Sequence, residues 1–140
     1  MIVGKKYSVS FKLFPTKFSP HWQNILHFTT GADRGTLGSR VPAIFANGNG
    51  NLHICSDVNG NTNYWWNSKP IPTNAWTEIQ IRQFNSSVNF KYQILINGVV
   101  QHEVINKNPR NSYNVKLYLS DPWYTAQEGL IKDLEHSGSM

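Results

Sequence analysis

The sequence predicts an all-β domain, a two-sheet antiparallel sandwich of jelly-roll type, and three observations carry that expectation. Apolar Tyr7, Val9, Phe11 and Leu13 alternate with Ser8, Ser10 and Lys12, the period-two pattern of a half-buried strand. Two Asn-Gly pairs, Asn59-Gly60 and Asn97-Gly98, each lie between strand-like runs. Both central residues of a type I′ hairpin turn need positive φ, which Asn and Gly reach most cheaply. No segment sustains a helical period beyond about two turns. Composition agrees: 39% hydrophobic and 13% aromatic residues suit a packed core, and only 15% charged residues suits a turn-rich β protein.

The elements follow in order. Residues 7–13 form the first strand. Pro15 to Pro20 is a turn, and Trp22 to Thr29 a second strand through Ile25, Leu26 and Phe28. Residues 30–39, with three glycines beside Asp33 and Arg34, are a loop. Val41 to Phe45 is a short strand that begins irregularly, because Pro42 cannot donate to a ladder. Asn47-Gly48-Asn49-Gly50 turns the chain into the first hairpin. Residues 69–74, with Pro70 and Pro72, form a loop. Trp76 opens a core strand to Phe84 in which Ile79 and Ile81 share a face. A polar turn at 85–89 leads into the second hairpin, residues 90–105. Val115, Leu117 and Leu119 mark another strand, 120–127 an aromatic loop, and 128–134 the closing strand. About nine or ten strands in one domain make a sandwich or jelly roll.

The first hairpin carries the candidate chemistry. A two-residue turn at Asn59-Gly60 sets Val58 opposite Asn61, Ser56 opposite Asn63, Ile54 opposite Trp65 and Leu52 opposite Asn67. The other face then pairs Asp57 with Thr62, Cys55 with Tyr64 and His53 with Trp66. Leu52, Ile54 and Trp65 belong to the core on this register. His53, Tyr64 and Trp66 lie on the far face, which is either a binding surface or a solvated face with a few large rings.

Charge and cysteine content narrow the function classes. Net charge is +5, from 13 Lys and Arg against 8 Asp and Glu, but the cations are scattered, so no specific nucleic-acid partner is expected. Cys55 is the single cysteine, which excludes an internal disulfide. No apolar run is long enough to span a membrane as a helix, so membrane insertion is not expected. The first residues lack a signal-peptide pattern, which fits either a cytoplasmic protein or a module of a longer secreted chain. The expected domain is 5–134, and 135–140 reads as an appended linker tail. The five histidines show no paired ligand spacing, which disfavours zinc.

Several landmarks together resemble a known fold family. They are Tyr7-Ser-Val-Ser-Phe11, Asn24-Ile-Leu-His-Phe28, Gly50 to Ile54, Trp76-Thr-Glu-Ile-Gln-Ile81, Ile96-Asn-Gly-Val99, Val115 to Asp121, and Glu128-Gly-Leu-Ile-Lys-Asp-Leu134. Their order resembles the concanavalin A-like, laminin G-like jelly roll. His27 to Gly31 and Ser120 to Tyr124 also resemble an extracellular module of aquatic invertebrates. The resemblance implies an extracellular location, supported by the acceptor pattern Asn85-Ser86-Ser87. It also implies possible calcium on rim loops, with Asp33, Asp57 and Asp121 as ligands. The fold carries lectins, adhesion modules and glycanases alike.

Glycanases of this fold use Glu-x-Asp-x-Glu on one strand. Here only Asp133 and Glu135 stand two apart, so no enzyme activity is expected. Between Asp57 and Ser68 an EF-hand spacing fails, since its glycine and closing glutamate are misplaced. Carbohydrate or glycoprotein binding is favoured, because sugar C–H faces stack on rings and hydroxyls bond to Asn, Asp, Arg and His. The candidate ligand-binding residues are Trp123, Tyr124, Asp121, Trp66, Tyr64, His53 and Arg40. The alternative is a protein–protein adhesion or self-assembly module using the same rings. Trp123 is either a stacking platform or a packing plug. Trp123→Ala is expected to abolish ligand binding while thermal unfolding stays near that of the parent; an unfolded variant would identify a plug.

Overall fold

In the structure, a computed structural model that describes residues 1–31, 35–120 and 124–139, the first strand's alternation is plain. Along β1 (Lys6–Pro15), Tyr7, Val9, Phe11 and Leu13 are buried while the residues between them are partly exposed. The chain continues through β2 (Gln23–Thr29), β3 (Ala43–Ala46), β4 (Asn51–Val58), β5 (Asn61–Pro70) and β6 (Thr77–Ser86). Then follow β7 (Asn89–Ile96), β8 (Val99–Asn106), β9 (Lys116–Tyr118), β10 (Thr125–Ala126) and β11 (Gly129–Ser139). The described residues contain no helix.

Two sheets result. One runs β11-β1-β6-β7-β8; the other runs β10-β2-β3-β4-β5, with β9 also pairing β2. Pairing is antiparallel except for the short β10, which runs parallel to β2. Val9 and Phe11 on β1 stand beside Ile81 and Ile79 on β6, and Ile81 beside Ile94 on β7. Across the sandwich, Leu26, Phe28, Ile44, Leu52 and Ile54 complete one core. Each large, fully buried side chain, such as Phe11 or Phe28, contributes roughly 1.5–3 kcal/mol. The exposed Lys12–Asp133 pair at 3.4 Å belongs to a class worth at most about 1 kcal/mol. Packing between the sheets therefore dominates.

Both Asn-Gly turns form as expected. Asn59 and Gly60 have φ of 56° and 74°, and Asn97 and Gly98 have 51° and 78°. Val58 pairs with Asn61, and Ile96 with Val99. Beyond the first turn, however, the expected register does not hold. The ladder shifts between Ser56 and Val58, so Ser56 pairs with Tyr64, Cys55 with Trp65, Ile54 with Trp66 and His53 with Asn67. One extra residue on β5 is absorbed as a β-bulge. Asn61 Oδ1 accepts the Asn63 amide at 3.0 Å, a local bond that competes with the ladder.

Other boundaries differ from expectation. Trp76 precedes β6 and is 40% exposed, packed on Phe14 with Lys132 over its ring at 4.1 Å. β9 is shorter than the strand read from Val115 to Leu119. β11 continues past Leu134 along β1, pairing Ser10 with Glu135 and Lys6 with Ser139. Residues set aside as a tail thus take part in the sheet, and the His136 ring lies 5.6 Å from Phe28. Gly129 opens β11 at φ 147°, where a Cβ would strike the Phe14 carbonyl.

β5 and β8 are the edges of their sheets, and side chains close the gap between them. His102 on β8 stacks against Tyr64 and Trp66 of β5 at 5.8 and 5.7 Å, and its Nε2 is 2.6 Å from the Tyr64 hydroxyl. Burial holds the His102 imidazole below its ordinary value, and the same cause leads for His53 and His136. All three are depressed in the folded state. Stability is therefore fully present above the ordinary imidazole pKa of about 6.5. Below it, the unfolded chain takes up protons that the folded chain refuses. Asp57 is shifted the other way, upward by burial, so its contribution falls as pH rises through the ordinary carboxyl range near 4. The thermal midpoint is expected to be flat above about pH 7.5 and to drop between about pH 6.5 and 5. His102→Gln should make that drop shallower in a differential scanning series.

Candidate functional site

The bulge decides which rings face outward from the six-stranded sheet. Tyr64 and Trp66 pair with Ser56 and Ile54, and both pack against the main core. Trp65 pairs with Cys55 on the opposite face and is 57% exposed. There it stacks on His53 at 5.6 Å and 26°. Trp22, just before β2, meets the same imidazole edge-on at 4.8 Å. Phe45 on β3 pairs with His53 across the ladder, and Tyr124, just before β10, meets Phe45 edge-on at 5.1 Å. Ala43, Phe45 and Cys55 form a small second core on this outer face, with Tyr124 packed over it.

Arg40 enters from the loop before β3. Its guanidinium lies 5.0 Å from the Phe45 ring centre, and Nη1 donates to Asn63 Oδ1 at 2.8 Å and to Cys55 Sγ at 3.4 Å. Asn63, within the bulged stretch, is thus held at its side chain by Arg40 and at its backbone amide by Asn61. His53 Nδ1 lies 2.7 Å from Asn67 Oδ1. Burial lowers the imidazole's pKa; the Asn67 bond opposes that, and the charge on Arg40 adds to it. Neutral His53 donates through Nδ1 to Asn67 and leaves Nε2 as an acceptor.

These groups surround an open hollow of about 380 Å³, lined by Trp22, Arg40, Phe45, His53, Asn63, Trp65 and Tyr124. A second hollow of about 680 Å³ adjoins it, sharing Trp22 and Tyr124 and running toward His21, Asn47 and Asn49. Ring faces with a guanidinium, an imidazole acceptor and an amide beside them can hold a flat, hydroxylated ring by stacking and paired hydrogen bonds. No described residue lining either hollow carries a carboxylate.

Of the residues singled out in the sequence, His53, Arg40 and Tyr124 come together here. Tyr64 and Trp66 lie across the sheet, because the bulge turned them inward. Asp121, Trp123 and Asp33 lie outside the described residues. Asp57 is elsewhere: its carboxylate is only 8% exposed and faces Arg110 at 4.0 Å. Its ionic partner among the described residues is Arg110, away from the hollow. Among the described residues no cluster of three His, Cys, Asp or Glu side chains is placed to hold a metal. Phe45 is new to the site, and Trp22 and Trp65, expected as packing residues, line it together with Asn63. The signal for Trp65 and Asn63 was Asn61-Thr62-Asn63, a side-chain-to-backbone pattern just after a hairpin turn.

Solved structures similar in fold include the native heptameric SAP-like pentraxin from Limulus polyphemus, with a TM-score of 0.62 and 16% identity over 95% of this chain and 64% of the pentraxin. Domain 4 of AbnA, an extracellular GH43 arabinanase from Geobacillus stearothermophilus in complex with arabinotriose, gives 0.62 and 22%, covering 96% of this chain and 61% of that one. Sheep galectin-11 in complex with glycerol gives 0.53 and 14%, covering 98% and 95%. The chain spans less than two thirds of the first two. No protein-family model and no curated protein matches it. At these identities the likeness shows the fold: a concanavalin A-like jelly-roll sandwich, lectin-like in architecture. Because that architecture houses lectins and a domain of an enzyme alike, it does not choose between binding and catalysis.

The new register makes opposite predictions for adjacent tryptophans. Trp66→Ala removes a ring packed on the core and should cost about 2–3 kcal/mol in urea unfolding. Trp65→Ala should stay within about 0.5 kcal/mol of the parent. The reverse order would restore the bulge-free pairing.

Proposed function

We propose that the outer face of the six-stranded sheet is a lectin-like carbohydrate-binding surface. The observation that carries this is the hollow where Trp65, Trp22 and Tyr124 present rings around His53, Arg40 and Asn63. Binding would be non-covalent. Sugar C–H faces would lie on the indoles, and hydroxyls would bond to the imidazole, the amide and the guanidinium. Two adjoining hollows sharing Trp22 and Tyr124 suit an oligosaccharide better than a single sugar. Tyr124 keeps the role expected from the sequence, and Asp121 and Trp123 remain candidates beside it. A calcium requirement is a separate proposal, resting on Asp33 and Asp121. We further read the chain as an extracellular module. Asn85 of the acceptor triplet is exposed next to the 87–88 turn, where a glycan would fit.

Protein–protein adhesion is the second reading. It is favoured by the exposed apolar residues along the β8 edge, Val99, Val100 and Ile105. That edge belongs to the other sheet and does not line the ring-lined hollow, so competition separates the two. Free oligosaccharide should displace a glycan ligand and leave a protein interface intact.

The test is a glycan array run with calcium and with a chelator, on parent and Trp65→Ala protein. Selective binding is expected in both conditions. The variant should bind at least about tenfold more weakly, equivalent to 1.4 kcal/mol. Loss on chelation alone would establish a calcium requirement. A blank array with folded protein would move the function to adhesion.

A further inference from the structure

We infer that the saccharide taken by this face is an anionic one, with a carboxylate or sulfate oxygen pair seated on Arg40. This rests on the carbohydrate reading of the face and narrows it to a chemical class.

Arg40 is 8% exposed, and its guanidinium stays protonated at any ordinary pH. Its partners among the described residues are Asn63 Oδ1, Cys55 Sγ and the Phe45 ring, none of them a carboxylate. Both hydrogen bonds leave from one nitrogen, Nη1. No bond among the described residues engages Nε or Nη2. Arg40 is one of the residues that line the hollow.

A buried charge is costly unless it is paired. Among the described residues the two adjoining hollows contain no carboxylate to pair it. Asp57, on the same strand as His53, faces Arg110 instead. The imidazole of His53, which also lines the hollow, is pushed toward its neutral form by burial. The hollow therefore has a fixed positive charge and a planar donor edge with no counter-ion among the described residues. Two parallel N–H donors match the two oxygens of a carboxylate or sulfate. The Trp65 and Tyr124 rings beside it would take the sugar bearing that group. A net charge of +5 favours the approach of such polyanions.

The competing explanation is that Arg40 only braces Asn63 and the bulge. Calorimetric titration of the full chain separates the two. The probes are a trigalacturonate and its methyl ester, alike except for charge, and a sulfated galactose oligomer with its unsulfated counterpart. The parent protein should bind at least one anionic member about tenfold or more tightly than its neutral twin. That preference should shrink with added salt. Preference for the uronate pair identifies a carboxylate ligand, and preference for the sulfated pair a sulfate; either supports the inference. In Arg40→Gln the ratio should fall to about one, whatever happens to absolute affinity, and Arg40→Lys should restore part of it. If neither variant folds, the ratio in the parent protein still decides. Equal binding of charged and neutral twins overturns the inference and leaves carbohydrate binding standing. A ratio unchanged in folded Arg40→Gln overturns the role of Arg40. No binding of any probe overturns the carbohydrate reading and this inference together.

Discussion

A side chain on a strand has only two faces to choose from, and one extra residue exchanges them for everything beyond it. The bulge between Asn61 and Tyr64 makes that exchange in β5. It sends Trp66 and Tyr64 into the seam between the sheets, where they stack on His102. It sends Trp65 out, where it stacks on His53. The closed edge of the sandwich and the open aromatic face thus have a common origin. Arg40 ties down Asn63, inside the bulged stretch, so the charge in the hollow and the geometry of the hollow are coupled.

What was legible in the sequence follows from how local each signal is. Strand β1 and both Asn-Gly turns could be read because alternation and positive φ are set within a few residues. The sandwich could be read because such segments succeed one another without a helical stretch. His53, Arg40 and Tyr124 stood out as large polar or aromatic groups near turns. Trp65 did not. Its face depends on competition between the Asn61 side chain and the ladder, a difference of one hydrogen bond. Trp22 and Phe45 were opaque for another reason: their company is set by pairing of β3 with β2 and β4, which no single segment reveals. The closing strand was cut short because its last residues are polar and small, and only their pairing with β1 identifies them as sheet.

The molecule also treats its two faces differently in electrostatic terms. The interior takes aromatic hydroxyls such as Tyr7 and Tyr92, whose phenols are pushed far toward the neutral form by burial. These groups give the core a polar layer without charge. The outer face instead retains a permanent cation over an aromatic floor, Arg40 on Phe45. A guanidinium is weakly hydrated and stacks on rings, which lowers the cost of keeping it there. A lysine ammonium at that position would be hydrated more strongly and would lack the planar edge.

The parallel pairing of β10 with β2 has a temporal side. Gln23 and Thr125 are neighbours in space but about a hundred residues apart along the chain. During synthesis, Trp22, Phe45, His53 and Trp65 leave the ribosome well before Tyr124, the ring that covers Phe45. Until Tyr124 arrives, the indoles face solvent with one wall missing, and a partly made chain presents greasy surface without a finished hollow. The hollow is in this sense completed late in the life of the chain, only after β10 has docked on β2.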